Sequence, residues 1–267
     1  MINITDINDP RLDIFGRLKE NQLAHYFEPA EGLFMAESPL VAGRALDAGY
    51  EPYCILADSS DSSPAFADIL SRVGSVPVYT APEPVLLQIT GFKLTRGLLC
   101  AMRRKPLPEI SEVLKYARRI AVLEDVVNPT NLGAIFRSAA ALGIDAVLLT
   151  SSSADPLQRR CARVSMGNIF LVPWTYFPKN CDCIKALKDL GFKTAAMALS
   201  NDSISIADPR LKSEERLAII LGSEGPGLKA ETIEKSDYVV KIPMAPGVDS
   251  LNVAAASAVA FWEISRN

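Results

Sequence analysis

The chain of 267 residues holds one histidine, His25, and that scarcity removes most familiar acid–base chemistry, since a histidine base has to be His25 or nothing. Beside Tyr26 and Phe27 it reads as an ordinary polar residue. Cysteine is sparse as well. Five residues (Cys54, Cys100, Cys161, Cys181, Cys183), an odd number scattered along the chain, argue against a disulfide framework and fit a reducing compartment. Cys181-x-Cys183 is the one cysteine cluster and His25 is far from it in sequence, so a zinc site lacks ligands and no metal is expected. No apolar run approaches the ~18 residues of a membrane span, and Met1–Pro10 lacks the basic segment that opens a signal peptide. A cytoplasmic protein without membrane association is the expectation. Neither G-x-G-x-x-G nor a P-loop occurs, and there is no internal repeat or low-complexity segment.

The length favours two domains. Net charge is −3, which argues against nucleic acid, yet the charge is uneven. From Lys93 to Arg119 the net is +6, with Arg103, Arg104, Lys105, Lys115 and Arg118 among the cations. Such a stripe can attract phosphate even on an acidic protein; a solvated linker is the alternative reading. In the first hundred residues, apolar runs at Leu33–Ala36, Cys54–Ala57, Val76–Tyr79 and Leu98–Met102 alternate with helical segments, one opened by Ser38-Pro39, a cap followed by a residue preset for the first turn. This predicts a small α/β sandwich over residues 1–107. Pro106 and Pro108 interrupt regular structure, within a basic linker at about 103–117. Over 118–267, strands are predicted at Ile120–Leu123, Ala146–Leu149, Phe170–Val172, Thr194–Ala198, Leu217–Leu221 and Tyr238–Ile242, a mostly parallel α/β sheet covered on both faces.

Ligands of such sheets collect at the carboxyl ends of the strands, where three loops stand out. The first, Asn128–Arg137, enters a helix whose spacing puts Leu132, Ile135, Phe136, Ala139 and Leu142 on one face and Arg137 off it. A surface arginine with Asn131 as helix cap is the plain alternative. The second, Gly222-Ser-Glu-Gly-Pro-Gly, suits close backbone approach to a ligand. The third, Pro243–Asn252, leads into an alanine-rich helix from about Ser250 to Ile264, with Ser250 able to cap it.

In this order, at the ends of these strands, the loops resemble the three motifs of the SpoU/TrmH family of the SPOUT class, RNA 2′-O-ribose methyltransferases. The resemblance covers about Ile120 to Phe261 and rests on the Asn131…Arg137 spacing, Gly222-Ser-Glu-Gly, and Ile242-Pro-Met followed by Ser250-Leu-Asn-Val; Arg163–Gly167 is similar to the family's intervening helix. Gly32–Lys105 more loosely resembles an L7Ae/L30e-like substrate-binding domain. What this implies is a deep trefoil knot in the C-terminal domain, with S-adenosylmethionine bent inside it. Leu199, Gly222, Ile242 and Leu251 would hold it through their backbones, and Met244 and Val253 would be apolar walls. Arg137 would be the central catalytic residue, Asn131, Ser250 and Asn252 would orient the hydroxyl and the loops, and Glu224 would brace the knot. Because a guanidinium does not give up its proton in proteins, Arg137 is read as a clamp on phosphate and developing alkoxide rather than as a base. A homodimer through the knot region is expected, acting on structured RNA, rRNA in preference to tRNA. The rivals are a non-catalytic RNA-binding protein on the same scaffold and an unrelated nucleotide-phosphate enzyme. Intact Arg137, Glu224, Ser250 and Asn252 count against the first, and the missing Walker and Rossmann motifs against the second.

Overall fold

Ile120–Leu123 and Leu217–Leu221 are apolar at every position rather than at alternate ones, the pattern of strands covered on both faces. In the computed structural model, which describes residues 1–91, 97–200, 202–223, 225–248 and 250–265, both runs are buried throughout. Lys93 and Arg96 of the basic stripe, and the site candidate Glu224, lie outside the described residues. The strands are β1 (Ile2–Asn3), β2 (Leu33–Glu37), β3 (Pro52–Asp58), β4 (Val78–Ala81), β5 (Leu98–Arg103), β6 (Arg119–Leu123), β7 (Ala146–Leu149), β8 (Trp174–Tyr176), β9 (Lys193–Met197), β10 (Ile204–Ser205), β11 (Leu217–Leu221) and β12 (Tyr238–Lys241). The helices are α1 (Asp13–Gly16), α2 (Glu20–Ala24), α3 (Pro39–Asp47), α4 (Pro64–Arg72), α5 (Glu83–Thr90), α6 (Ile110–Val113), α7 (Pro129–Ala141), α8 (Arg159–Val164), α9 (Cys183–Asp189), α10 (Pro209–Ser213), α11 (Ala230–Lys235) and α12 (Val253–Ser265).

Two units emerge from the chain's contacts: Met1–Pro106 with Leu157–Leu171, and Leu107–Pro156 with Val172–Asn267. In the first, the sheet order is β1-β4-β3-β5-β2, with β5 antiparallel to β3 and β2 and the other pairs parallel. Ser38 and Ser63 cap α3 and α4 by accepting from the amides of Val41 and Phe66, each followed by proline. Alternation along β2 sends Leu33 and Met35 into a core with Leu12, Phe15, Leu56 and Leu99, and Phe34 to the other face. There Phe34 meets Tyr50 and Phe170, with ring centroids 5.2 and 5.7 Å away.

Phe170 belongs to the Leu157–Leu171 arm, a segment that the sequence reading placed in the second domain. The arm is fastened by Arg159 to Glu37 at 3.0 Å and by Arg44, which donates to the Met166 carbonyl at 2.8 Å and to the Asn168 side chain. This use of Phe170 corrects the expected strand Phe170–Val172. Asn168–Phe170 is a 3-10 turn, and the strand begins only after Pro173, at Trp174.

The second unit carries one sheet, entirely parallel in its described pairs, in the order β10-β12-β9-β11-β6-β7-β8. After β9 the chain inserts β11 between β9 and β6, then returns to the far side of β9 as β12. The terminal helix α12 packs back on α7. It starts at Val253, with the Asn252 side chain accepting from Ala254 N at 2.9 Å, so Asn252 rather than Ser250 caps it. Likewise α7 is capped by Asn128, whose side chain accepts from Thr130 N and Asn131 N, and not by Asn131.

Candidate active site

Because the strands of the second unit run parallel, the loops that follow β6, β9, β11 and β12 all leave from one edge of the sheet. The last three line a cavity of about 350 Å³, within the ~300–1,000 Å³ typical of small-molecule sites. Its lining includes Leu199, Gly222, Ile242, Met244, Leu251 and Val253, and also Ser250. Thus all six residues expected to hold the cofactor face one space. Gly222 is demanded by geometry: a Cβ there would lie 2.4 Å from the Gly227 carbonyl carbon and 2.5 Å from Leu228 N, so the two ends of the glycine loop touch where no side chain fits.

The lining suits S-adenosylmethionine. Apolar side chains offer walls for a flat base. The peptide groups of Leu199, Ile242 and Leu251 make no hydrogen bond among the described residues, which leaves donors and acceptors for the polar edge of an adenine. Lys241 is the one basic residue in the described lining, a poor match to a triphosphate.

Hydrogen bonds tie the loops together. Asn252 Nδ2 donates to Asn131 Oδ1 at 3.2 Å, joining the third loop to the first. Glu124, at the end of β6 and 5% exposed, accepts from Lys229 N at 2.7 Å and Thr232 Oγ1 at 2.6 Å, joining the first loop to α11. Asp125 sits in the left-handed region at φ 57°. It accepts from the hydroxyls of Thr150 and Ser152 and pairs with Lys229 at 3.1 Å. Burial raises its pKa, but these hydrogen bonds and the ammonium outweigh it, and the net shift is downward.

Arg137 stands apart. It is exposed on α7, while Leu132, Ile135, Phe136 and Ala139 of the same helix are buried. Among the described residues its side chain makes no hydrogen bond or ion pair, and it does not line the cavity. The structure therefore brings together Asn131 with Asn252, and Ser250 with the cofactor candidates, and leaves Arg137 unengaged. Sequence reasoning missed Glu124, Asp125, Lys229 and Thr232. The signal was available in one respect: two carboxylates directly after the apolar run Ile120–Leu123 are out of place unless something receives them.

A second cavity of about 380 Å³ lies over the ends of β6, β7 and β8, with Glu124, Thr150, Ser152, Cys183, Lys229 and Thr232 in its wall. Burial pushes the Cys183 thiol up to about 12, so it offers no thiolate nucleophile near neutral pH. Among the described residues no group of three or more His, Cys, Asp or Glu is placed to hold a metal, and no helix is long and apolar enough to cross a membrane.

Most described cations of the basic stripe serve local structure. Arg104 Nε donates to the Leu33 carbonyl, and Lys105 to that of Ala48. The Arg119 guanidinium holds the carbonyls of Glu215 and Lys212.

A sequence model of the SpoU rRNA Methylase family matches residues 118–262. An uncharacterized tRNA/rRNA methyltransferase of Mycobacterium bovis is 40% identical over 266 residues, 99% of this chain and 92% of that protein. The AdoMet-bound rRNA methyltransferase of Sinorhizobium meliloti superposes with a TM-score of 0.82 at 23% identity, over 98% of this chain and 96% of that one. An RNA 2′-O ribose methyltransferase superposes with a TM-score of 0.78 at 24% identity, over 98% of each chain. At such identities the two structures speak for the fold, a mixed α/β chain with a mostly parallel sheet that matches those of SpoU-type methyltransferases. Family model, full-length relative and fold agree: this chain belongs to the SpoU rRNA methylase family.

Proposed function

We propose that this RNA methyltransferase of the SpoU/TrmH family transfers a methyl group from S-adenosylmethionine to a ribose 2′-hydroxyl of structured RNA, rRNA in preference to tRNA. The observation that carries the reading is the division of labour at the sheet edge. Three loops enclose a cavity at which, among the described residues, the peptide groups of Leu199, Ile242 and Leu251 make no hydrogen bond, and Arg137, whose side chain makes none among them either, stands outside its wall. The 2′-O ribose methyltransferase that shares the fold supports the choice of acceptor atom.

When bound, S-adenosylmethionine supplies a methyl carbon already activated by its sulfonium. The protein's own task is alignment, for which effective molarities reach ~10⁵–10⁸ M. Asn131 and Asn252, held to each other, and Ser250 at the cavity wall orient the ribose hydroxyl. Arg137 clamps the neighbouring phosphate through its planar fork and steadies negative charge as it develops on the oxygen. A guanidinium that stays protonated does this as a fixed cation.

The same reading makes residues 1–107 an L30e-like RNA substrate-binding domain, residues 118–267 the methyltransferase domain, and the protein a cytoplasmic homodimer joined near the knot. Val259 and Trp262, 39% and 49% exposed on α12, support such an interface.

Calorimetric titration with S-adenosylmethionine and S-adenosylhomocysteine tests the reading. Both should saturate the wild type and Arg137→Ala alike, while methyl transfer to RNA is lost in the variant. Loss of cofactor binding in Arg137→Ala would contradict the division of labour. Full turnover by Arg137→Lys would replace the bidentate clamp with a simple point charge.

A further inference from the structure

Three consecutive cations end β5, and they are used differently. Arg104 and Lys105 donate to backbone carbonyls of the first unit. The Arg103 side chain does not: its amide donates to the Glu51 carbonyl at 2.8 Å, but the guanidinium is exposed and among the described residues makes no hydrogen bond and no ion pair. Its guanidinium instead lies over two rings, 4.7 Å from the centroid of Phe27 and 5.2 Å from that of Tyr53. Those rings meet edge to face at 5.5 Å, and Tyr26 joins them at 4.9 Å from Phe27 and 6.1 Å from Tyr53. Phe27 and Tyr53 also pack against the unit's core, which fixes the platform. Tyr26 is 42% exposed. His25, also exposed, donates from Nδ1 to the Asn21 carbonyl at 2.7 Å, which leaves Nε2 as the ring's remaining polar atom.

A core needs neither an outward-facing tyrosine nor a guanidinium stacked on rings with its donors unspent. Together they are what an unpaired nucleotide requires: an aromatic face for the base and a cation with several donors for the phosphate. We propose that Tyr26, Phe27, Tyr53 and Arg103 form a single-strand RNA contact on the first unit, Tyr26 stacking on a base and Arg103 holding the adjoining phosphate. The inference rests on the reading that this unit binds the RNA substrate. Charge selects the partner: on a chain of net charge −3, a cation with no carboxylate in ion-pair range among the described residues is placed for a polyanion.

Fluorescence anisotropy of the full chain with labelled ten-nucleotide poly-U and poly-A RNA tests it, with thermal unfolding and S-adenosylmethionine titration as controls on every variant. Tyr26→Ala should weaken binding about tenfold, and Tyr26→Phe, which keeps the ring, should restore it. Arg103→Gln should weaken binding and lower the slope of log affinity against log salt by about 0.7. All variants should unfold and bind cofactor as the wild type does. Wild-type affinity in both Tyr26→Ala and Arg103→Gln would overturn this patch and leave the RNA reading standing. A wild type that binds cofactor but neither oligonucleotide would overturn the single-strand contact and leave structured RNA standing as the substrate.

Discussion

Gly222→Ala and Gly225→Ala change two glycines of one loop in the same way, and the structure separates their outcomes. A Cβ at Gly225 meets nothing within 4 Å, whereas one at Gly222 meets three backbone atoms of Gly227 and Leu228, at 2.4, 2.5 and 2.6 Å. Backbone cannot swing aside as a side chain does. To reach ordinary contact the facing segment has to retreat by about 1 Å, an overpacking strain of ~1–3 kcal/mol, and that segment is a wall of the cavity proposed for the cofactor. Expressed at the site, the strain is a loss of roughly 5- to 150-fold in affinity. Calorimetric titration with S-adenosylmethionine reads it directly, with unfolding curves to verify that both variants are folded. Gly225→Ala should stay within about threefold of wild type, since it adds no contact to relieve. Equal affinities for the two variants would refute the argument that loop closure at Gly222 shapes the cavity.

Phe170→Ala should destabilise the first unit by about 2–3 kcal/mol in urea unfolding, since it removes a half-buried ring from Phe34 and Tyr50; an unchanged midpoint would mean the Leu157–Leu171 arm contributes little. Arg216→Met should cost about 2–4 kcal/mol, because Arg216 holds the carbonyls of Ala117, Leu190 and Leu114 and lies 4.1 Å over Phe192. Asp237 gives a pH dependence. Burial raises its pKa, but the Thr194 hydroxyl and amide, with Lys188 and Lys193, outweigh that and leave it lowered. Its stabilisation is therefore complete above the unfolded aspartate value of ~4 and disappears as pH falls through the folded value. Asp237→Asn should flatten stability against pH in that acid range, and an unchanged acid limb would show that other groups govern it.

Much of the second unit was legible because its buried parallel strands are written as unbroken apolar runs. Five of six expected strands fall where Ile120, Ala146, Thr194, Leu217 and Tyr238 indicated. The sixth was displaced because Phe170 is apolar for a different reason: it fills a gap beside Phe34, in a unit that begins more than a hundred residues earlier. No local pattern distinguishes the two uses. At the helix starts, Asn128 and Asn131 are chemically alike, as are Ser250 and Asn252 in their capacity to cap; only the observed backbone turn chooses between them. The residues expected at the cofactor, which line one cavity, were reached through motif order, whereas Glu124 and Thr232 are partners across 108 positions, a relation invisible to spacing. The basic stripe shows the opposite failure, since a count of charges does not reveal that Arg104, Lys105 and Arg119 are occupied by carbonyls.

The central claim is methyl transfer to a ribose oxygen, and the product nucleoside reports it most directly. RNA incubated with the protein and methyl-labelled S-adenosylmethionine, then digested to nucleosides and resolved by mass spectrometry, should carry the label on ribose as a 2′-O-methylnucleoside, and Arg137→Ala should leave the RNA unlabelled. Label on a base, or equal labelling by Arg137→Ala, would contradict the account.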